Sequence, residues 1–171
     1  MRKRFFMPDL YLDTIYDIDL DRLVEMGIKA VLLDIDNTLV TYDDPEPTPP
    51  VLAWFSELEK RGIRIAFISN NDEARVSLFN SRLGYFHSSK SGKPSTKYYR
   101  RALEHIGTDE SHAAVIGDQV FTDIVSGHLL GSYSILVNPI KDKTTLFFRS
   151  KRLLEKPILK RYRKKGPKRG V

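Results

Sequence analysis

The sequence predicts a single α/β domain, a Rossmann-like parallel sheet of about five strands with helices on both faces. Three observations lead there. Five times a helical segment closes on a glycine (Gly27, Gly62, Gly84, Gly107, Gly131) and an apolar stretch follows. At 171 residues and 41% hydrophobic, the chain can bury one sizeable core but not two comfortable ones. And the apolar stretches end in clustered polar residues, as strands do when they deliver side chains to a ligand site at their carboxyl ends.

The elements follow in order. The basic opening, Met1-Arg2-Lys3-Arg4-Phe5-Phe6-Met7, loses its apolar character at Pro8-Asp9, so no export signal is expected. Residues 9–21 set Asp9, Asp13, Asp17, Asp19 and Asp21 among Leu10, Leu12, Ile15 and Ile18. They read as an irregular lead-in, then a helix from about Asp19 or Leu20 to Gly27, the acids being solvated or capping. A first strand runs through Val31-Leu32-Leu33. Further strands are expected at Ile63–Ile68, Tyr85-Phe86, Ala113–Ile116 and Tyr133–Val137, separated by helices at about 48–61, 72–83, 94–106 and 121–130. Thr48-Pro49-Pro50 is a helix start, with Leu52, Trp54 or Phe55, and Leu58 on the buried face. Trp54, the only tryptophan, is assigned to the core.

The strand ends carry the chemistry. Asp34 and Asp36 stand two apart after the first strand, so both leave its tip on one side. Two close carboxylates repel, and a cation between them removes the problem. The second predicted helical link follows Ser69-Asn70-Asn71-Asp72, Lys93 opens a helix in Gly92-Lys93-Pro94, and Gly117-Asp118-Gln119 precedes Asp123 by a helical turn. Singly, Ser69 reads as a cap, Lys93 as a surface charge and Asp118 as a turn residue. Together, at successive strand ends, they converge on one spot. His87, His105, His112 and His128 are scattered and form no ligand pair. The chain has no cysteine, which excludes disulfides and thiolate metal sites.

These residues resemble the four motifs of the haloacid dehalogenase (HAD) superfamily of phosphotransferases. The motifs are Asp34-Ile35-Asp36-Asn37-Thr38, Ser69, Lys93, and Gly117-Asp118 with Asp123, all within residues 28–138. The wording Asp-Ile-Asp-Asn-Thr, Ser-Asn-Asn, Gly-Lys-Pro and Gly-Asp-Gln-x-x-Thr-Asp is similar to the YqeG-like branch of subfamily IIIA, related to mitochondrial phosphatidylglycerophosphate phosphatases. The resemblance implies Mg²⁺-dependent hydrolysis of a phosphomonoester through an aspartyl phosphate. Asp34 is then the nucleophile, Asp36 the general acid and base, and Lys93 the charge stabiliser. Asp34, the Asp36 carbonyl and Asp118 would hold Mg²⁺, with Asp123 either reaching it through a water or orienting Lys93. Ser69, Asn70 and Thr38 complete the expected site, Ser69 on the phosphoryl oxygens and Thr38 bonding around the loop.

Specificity in this superfamily usually comes from an inserted cap domain. Thirty residues separate Thr38 from Ser69, enough for one helix and its strand. The interval from Ser69 to Lys93 is equally short, so no cap fits. Tyr42-Asp43-Asp44-Pro45-Glu46-Pro47 can form only a small flap. An open site suits a macromolecule or a headgroup on a membrane.

Charge divides the chain. Residues 149–171 hold eleven Lys or Arg and one acid, Glu155, a local +10 that leaves residues 1–148 at −4. We read a phosphatase domain over 1–148 and a basic tail over 149–171. If helical over 146–163, the tail presents Arg149, Arg152, Lys156, Lys160 and Arg163 as one stripe, opposite Phe147, Leu154, Ile158 and Tyr162. Pro157 would divide it into two pieces. Anionic lipid is the favoured partner, with RNA or the ribosome second, since both are polyanions. The sequence-level expectation is therefore a cytoplasmic enzyme, peripheral at the inner membrane face, acting on phosphatidylglycerophosphate in phospholipid metabolism. The alternatives are a soluble phosphatase of a sugar phosphate, nucleotide or nucleic-acid end, and a non-enzymatic ribosome or RNA assembly factor.

Overall fold

A computed structural model of the chain describes residues 5–141 together with Pro157, Lys160 and Tyr162. The strands are β1 (Leu10–Leu12), β2 (Ala30–Leu33), β3 (Arg64–Ile68), β4 (Phe86–Ser88), β5 (Ala113–Gly117) and β6 (Tyr133–Val137). They form one six-stranded sheet in the order β1-β6-β5-β2-β3-β4, parallel throughout. The helices are α1 (Leu20–Glu25), α2 (Pro49–Lys60), α3 (Glu73–Asn80), α4 (Lys97–Ile106) and α5 (Val125–Leu130).

The alternation of β2 builds both layers. Val31 and Leu33 pack on one face with Leu23 of α1, Val51, Trp54, Phe55 and Leu58 of α2, and Val76 and Phe79 of α3. Ala30 and Leu32 face Tyr99, Ala102 and Leu103 of α4 and Leu130 of α5. Rings of Phe55, Phe67, Phe79 and Tyr85 meet with centroids 5.3–5.9 Å apart, each pair adding roughly 0.5–1.5 kcal/mol beyond burial. All five helix-closing glycines have left-handed backbone, with φ between 70° and 88°.

Four expectations need correction. The lead-in contains a sixth strand, β1, too short for its alternation to be read. Asp9 fastens it: its carboxylate accepts from the Ser134 N–H at 3.0 Å and the Ser134 hydroxyl at 2.8 Å. Leu52 lies 43% exposed, and Val51 takes the inward position on α2. The helix expected from 94 begins at Lys97, because Gly92–Ser95 remains a turn closed by the Ser95 N–H on the Gly92 carbonyl. The helix expected over 121–130 opens as a π-helical turn, Val120–Ile124, in which Gln119 C=O accepts from both Asp123 and Ile124 N–H groups.

Of the lead-in acids, Asp19 behaves as read, while Asp13, like Asp9, ties the lead-in to β6 or the residue that follows it. Asp19 caps α1 by accepting the Arg22 N–H, and Asp13 accepts from the Asn138 amide. The domain boundary at 148 and most of the predicted tail helix lie outside the described residues. Pro157, Lys160 and Tyr162 are helical. The Tyr162 hydroxyl accepts the N–H of Tyr11 at 3.1 Å, covering a backbone donor on edge strand β1, and the two rings meet edge to face. Among the described residues no helix is long and apolar enough to cross a membrane.

Candidate active site

Strand β2 is central, with β5 on one side and β3 on the other, and the chain reverses its direction of sheet growth there. This is the switch point where open parallel sheets bind ligands. Leu33 is in register with Phe67 and with Ile116, so the residues that follow on all three strands emerge at one level. Asp34 N–H extends the ladder to the Ile116 carbonyl at 3.0 Å. Asn37 then turns the chain with φ 68°, a conformation asparagine tolerates.

Asp34 is buried and engaged at both oxygens. Oδ1 accepts from Lys93 Nζ at 2.5 Å and Oδ2 from the Thr38 hydroxyl at 3.2 Å. Burial pushes its carboxyl up to about 6, with the Lys93 ammonium pulling the other way. Lys93 also donates to Asp123 Oδ1 at 2.7 Å. Burial opposes the ammonium, yet Asp123 and Asp34 outweigh it and hold Lys93 well above the ordinary lysine range. The other Asp123 oxygen, Oδ2, accepts the Gln119 N–H at 3.1 Å. Asp123 thus bridges the Lys93 ammonium and the Gln119 backbone.

Gly117 makes that arrangement fit. A Cβ on Gly117 would stand 2.2 Å from the Asp123 carboxyl carbon, so the side chain occupies the space a larger residue would need.

Asp34, Asp118 and Asp123 are buried and each places one carboxylate oxygen within 4.8 Å of the others. Lys93 donates to two members of this trio, Asp34 and Asp123. Three clustered carboxylates, hard all-oxygen donors, fit a small divalent cation such as Mg²⁺. The Asp36 carboxylate stands apart from this trio. Its Oδ1 accepts from Arg75 Nε at 3.1 Å and Nη2 at 3.0 Å, and its Oδ2 from the Asn71 amide at 2.9 Å.

Motifs two and three are zipped together. Ser69 N–H donates to Ser88 C=O, Ser91 N–H to Ser69 C=O, and Lys90 N–H to Asn71 C=O. The Ser69 hydroxyl accepts the Asn71 N–H, and Asn70 Oδ1 accepts the Lys93 N–H at 2.8 Å. Asn70 thus spends its Oδ1 on the Lys93 backbone, and Thr38 bonds around the loop to Asp34. Arg75, Asn71 and Tyr42 are the residues that sequence reasoning did not place in the site. Tyr42, on the flap, lies within electrostatic reach of Asp118, Asp34 and Asp36, and burial with those charges pushes its phenol up. Asn71 lies inside the Ser-Asn-Asn wording but was given no role, Tyr42 lies only in the flap segment, and the one signal for Arg75 was that it falls a helical turn after the Ser69 loop. The histidines stay away from the trio: His87 bonds with Asn80 and Glu73, and His112 with Asp109.

Between Thr38 and Ser69 the chain holds the flap, α2 and β3, and between Ser69 and Lys93 it holds α3 and β4; no cap domain is inserted. Sheet order, nucleophile-type carboxylate, paired lysine and acidic trio define a capless phosphatase of the HAD class. Comparison with known proteins agrees. The HAD-hydrolase-like family model matches residues 90–145, and that of the mitochondrial PGP phosphatases matches residues 1–81. The "Probable phosphatase YqeG" of Bacillus subtilis (strain 168) is 37% identical over 166 residues, covering 97% of this chain and 96% of the relative. The chain belongs to the YqeG family of HAD phosphatases. Phosphatidylglycerophosphate phosphatase 1, chloroplastic/mitochondrial, of Arabidopsis thaliana is 27% identical over 97% of this chain and 51% of its own length. The crystal structure of a HAD phosphatase from Thermococcus onnurineus shares the fold, with a TM-score of 0.55 at 14% identity over 74% of this chain and 98% of that one.

Gly117→Ala is expected to keep secondary structure while displacing Asp123 and loosening Lys93. Turnover of p-nitrophenyl phosphate should fall by roughly 10²-fold, the scale of losing one charge-stabilising group. Steady-state kinetics beside circular dichroism checks this, and wild-type turnover in the alanine variant would contradict it.

Proposed function

We propose that this phosphatase hydrolyses a phosphomonoester through an aspartyl phosphate on Asp34, that it uses Mg²⁺, and that its substrate is phosphatidylglycerophosphate. The observation that carries the reaction is the pairing of buried Asp34 with Lys93 beside Asp118 and Asp123. An Asp34 oxygen attacks phosphorus, the bond to the leaving oxygen breaks, and Asp36 supplies the proton that the alkoxide needs. Water then attacks the aspartyl phosphate, Asp36 takes its proton, and orthophosphate leaves with Asp34 regenerated. Lys93 balances charge on the phosphoryl oxygens, and the Ser69 hydroxyl, already accepting from Asn71, retains its own proton to donate there. Mg²⁺, held by Asp34, Asp118 and the Asp36 carbonyl, would neutralise the incoming dianion. Thr38, Asn70 and Asp123 fix Asp34 and Lys93 in place.

The substrate is supported by the match to the mitochondrial PGP phosphatase model, by the plant phosphatidylglycerophosphate phosphatase, by the open site and by the +10 tail. An anionic leaflet attracts a polybasic segment with up to about 1 kcal/mol per Lys or Arg. The contact of Tyr162 with Tyr11 joins this tail to the phosphatase domain.

Phosphate release from short-chain phosphatidylglycerophosphate should exceed that from glycerol 3-phosphate, nucleotides and 5′-phosphorylated oligonucleotides by about tenfold or more in kcat/KM. Preference for a nucleotide or an oligonucleotide end would remove the lipid substrate. Asp34→Asn should lower kcat by several orders of magnitude. Arg163, Lys164, Lys165, Lys168 and Arg169 changed together to Gln should depress hydrolysis of the lipid in anionic vesicles and spare p-nitrophenyl phosphate. Full vesicle binding by that variant would shift the tail to RNA.

Cation binding should also depend on pH. Asp34 titrates near 6 in the cation-free protein, and its ionised form binds the cation, so Mg²⁺ affinity should weaken as pH falls below about 6 and binding should release protons there. Calorimetry in buffers of different ionisation enthalpy measures that release, and its absence between pH 5.5 and 6.5, taken as roughly half a unit either side of that midpoint, would contradict the assignment.

A further inference from the structure

Arg75 joins three parts of the site with one side chain. Its Nε and Nη2 hold Asp36 Oδ1, Nη1 donates to the Pro45 carbonyl at 2.9 Å, and Nη2 reaches the Thr41 carbonyl at 3.4 Å. Its N–H is bound by Asp72, the cap of α3, and its guanidinium lies 5.7 Å from the centre of the Phe79 ring. The base of the side chain is thus fixed to a rigid helix, and its planar fork matches a carboxylate and two carbonyls at once. The side chains of Arg75 and Asp36 are only 13% and 7% exposed, so water competes little for the pair. Inside the flap, Asp44 accepts from Thr41 N–H and hydroxyl, so holding Thr41 and Pro45 holds the turn between them.

We propose that Arg75 is a positioning residue: it aims Asp36 at the leaving-group oxygen and ties that aim to the placement of the 41–47 flap. The proposal rests on the acid–base role given to Asp36 above. Nothing in the four motifs requires an arginine here. The guanidinium reaches the reacting atoms only through Asp36, and Asn71 on the opposite oxygen leaves Asp36 hinged on two donors of the β3–α3 segment.

The test is a double-mutant cycle of Arg75→Gln and Asp36→Asn, read as single-turnover phosphorylation with an alkyl phosphate and with p-nitrophenyl phosphate. Asp36→Asn should slow the alkyl substrate more than the aryl one, because an aryl oxide needs little protonation to depart. Arg75→Gln should show the same bias at smaller size, about 10-fold or more on the alkyl phosphate, and should add nothing in the Asp36→Asn background. Hydrogen exchange at residues 41–47 should quicken in Arg75→Gln. Arg75→Lys, which keeps the charge but loses the fork, should fall between wild type and Gln, and it replaces Gln if that variant fails to fold. Equal losses on both substrates, no loss on either, losses that multiply in the double variant, or unchanged exchange in the flap would each overturn the proposal. If Asp36→Asn itself shows no leaving-group bias, the acid–base reading fails instead, and Arg75 falls with it; bias in Asp36→Asn without bias in Arg75→Gln sinks the Arg75 proposal alone.

Discussion

The chain gathers three carboxylates and one ammonium in a buried space at the tip of the central strand. In water such groups would cost little; buried, each charge must be matched or neutralised. Lys93 matches parts of two of them, and the clustered carboxylate oxygens suit a hard cation. The raised carboxyl of Asp34 and the strengthened charge on Lys93 are two sides of this one constraint. Burial drives the first and the carboxylates drive the second. Much of the surrounding structure serves to keep these groups together against their repulsion.

That support is mostly backbone and hydrogen-bond geometry around the site. Asn70 and the zipper of Ser69, Asn71, Ser88, Lys90 and Ser91 hold the segment before Lys93. The π-helical turn after β5 and the missing Cβ of Gly117 let Asp123 reach back to Lys93 while still accepting from Gln119. Fully buried Tyr99, hydrogen-bonded to Ser126 and within electrostatic reach of Lys93 and Asp123, closes the site from α4. A helix that began regularly at 121 would lose the bonding pattern that positions Asp123, so the irregularity belongs to the site.

The parallel architecture was legible because its signals are local: glycine at each helix end, apolar runs at strand spacing, carboxylates at a strand tip. The site residues at strand ends were legible for the same reason, since topology alone brings strand ends together. What escaped was short or non-local. Three residues of β1 cannot display an alternation, and their place in the sheet depends on Asp9 finding Ser134, more than a hundred residues away. Leu52 against Val51 is a rotation of one residue about α2, finer than its apolar spacing resolves. Arg75 looks like an ordinary surface residue of a helix start until β3 is set beside β2, when it joins Asn71 on Asp36. Tyr42 acquires meaning only when the flap folds over the carboxylates.

A capless site must obtain its walls from the rim, and here the rim is tied to the motifs themselves. Asn37, inside motif one, donates its amide to the Lys141 carbonyl at 2.8 Å and accepts the Lys141 N–H at 3.2 Å, while its own carbonyl accepts from Ile140. Lys141 in turn pairs with Asp43 of the flap at 2.8 Å, an exposed contact worth little by itself. The flap is thus bounded by Arg75 on one side and Lys141 on the other, and both lead back to the loop that carries Asp34 and Asp36. On the proposed mechanism, a substrate that displaces the flap would strain the loop that carries Asp34 and Asp36. Discrimination in such a site need not reside in a separate domain, because the placement of the flap and of the Asp36 carboxylate draw on the same Arg75 hydrogen bonds.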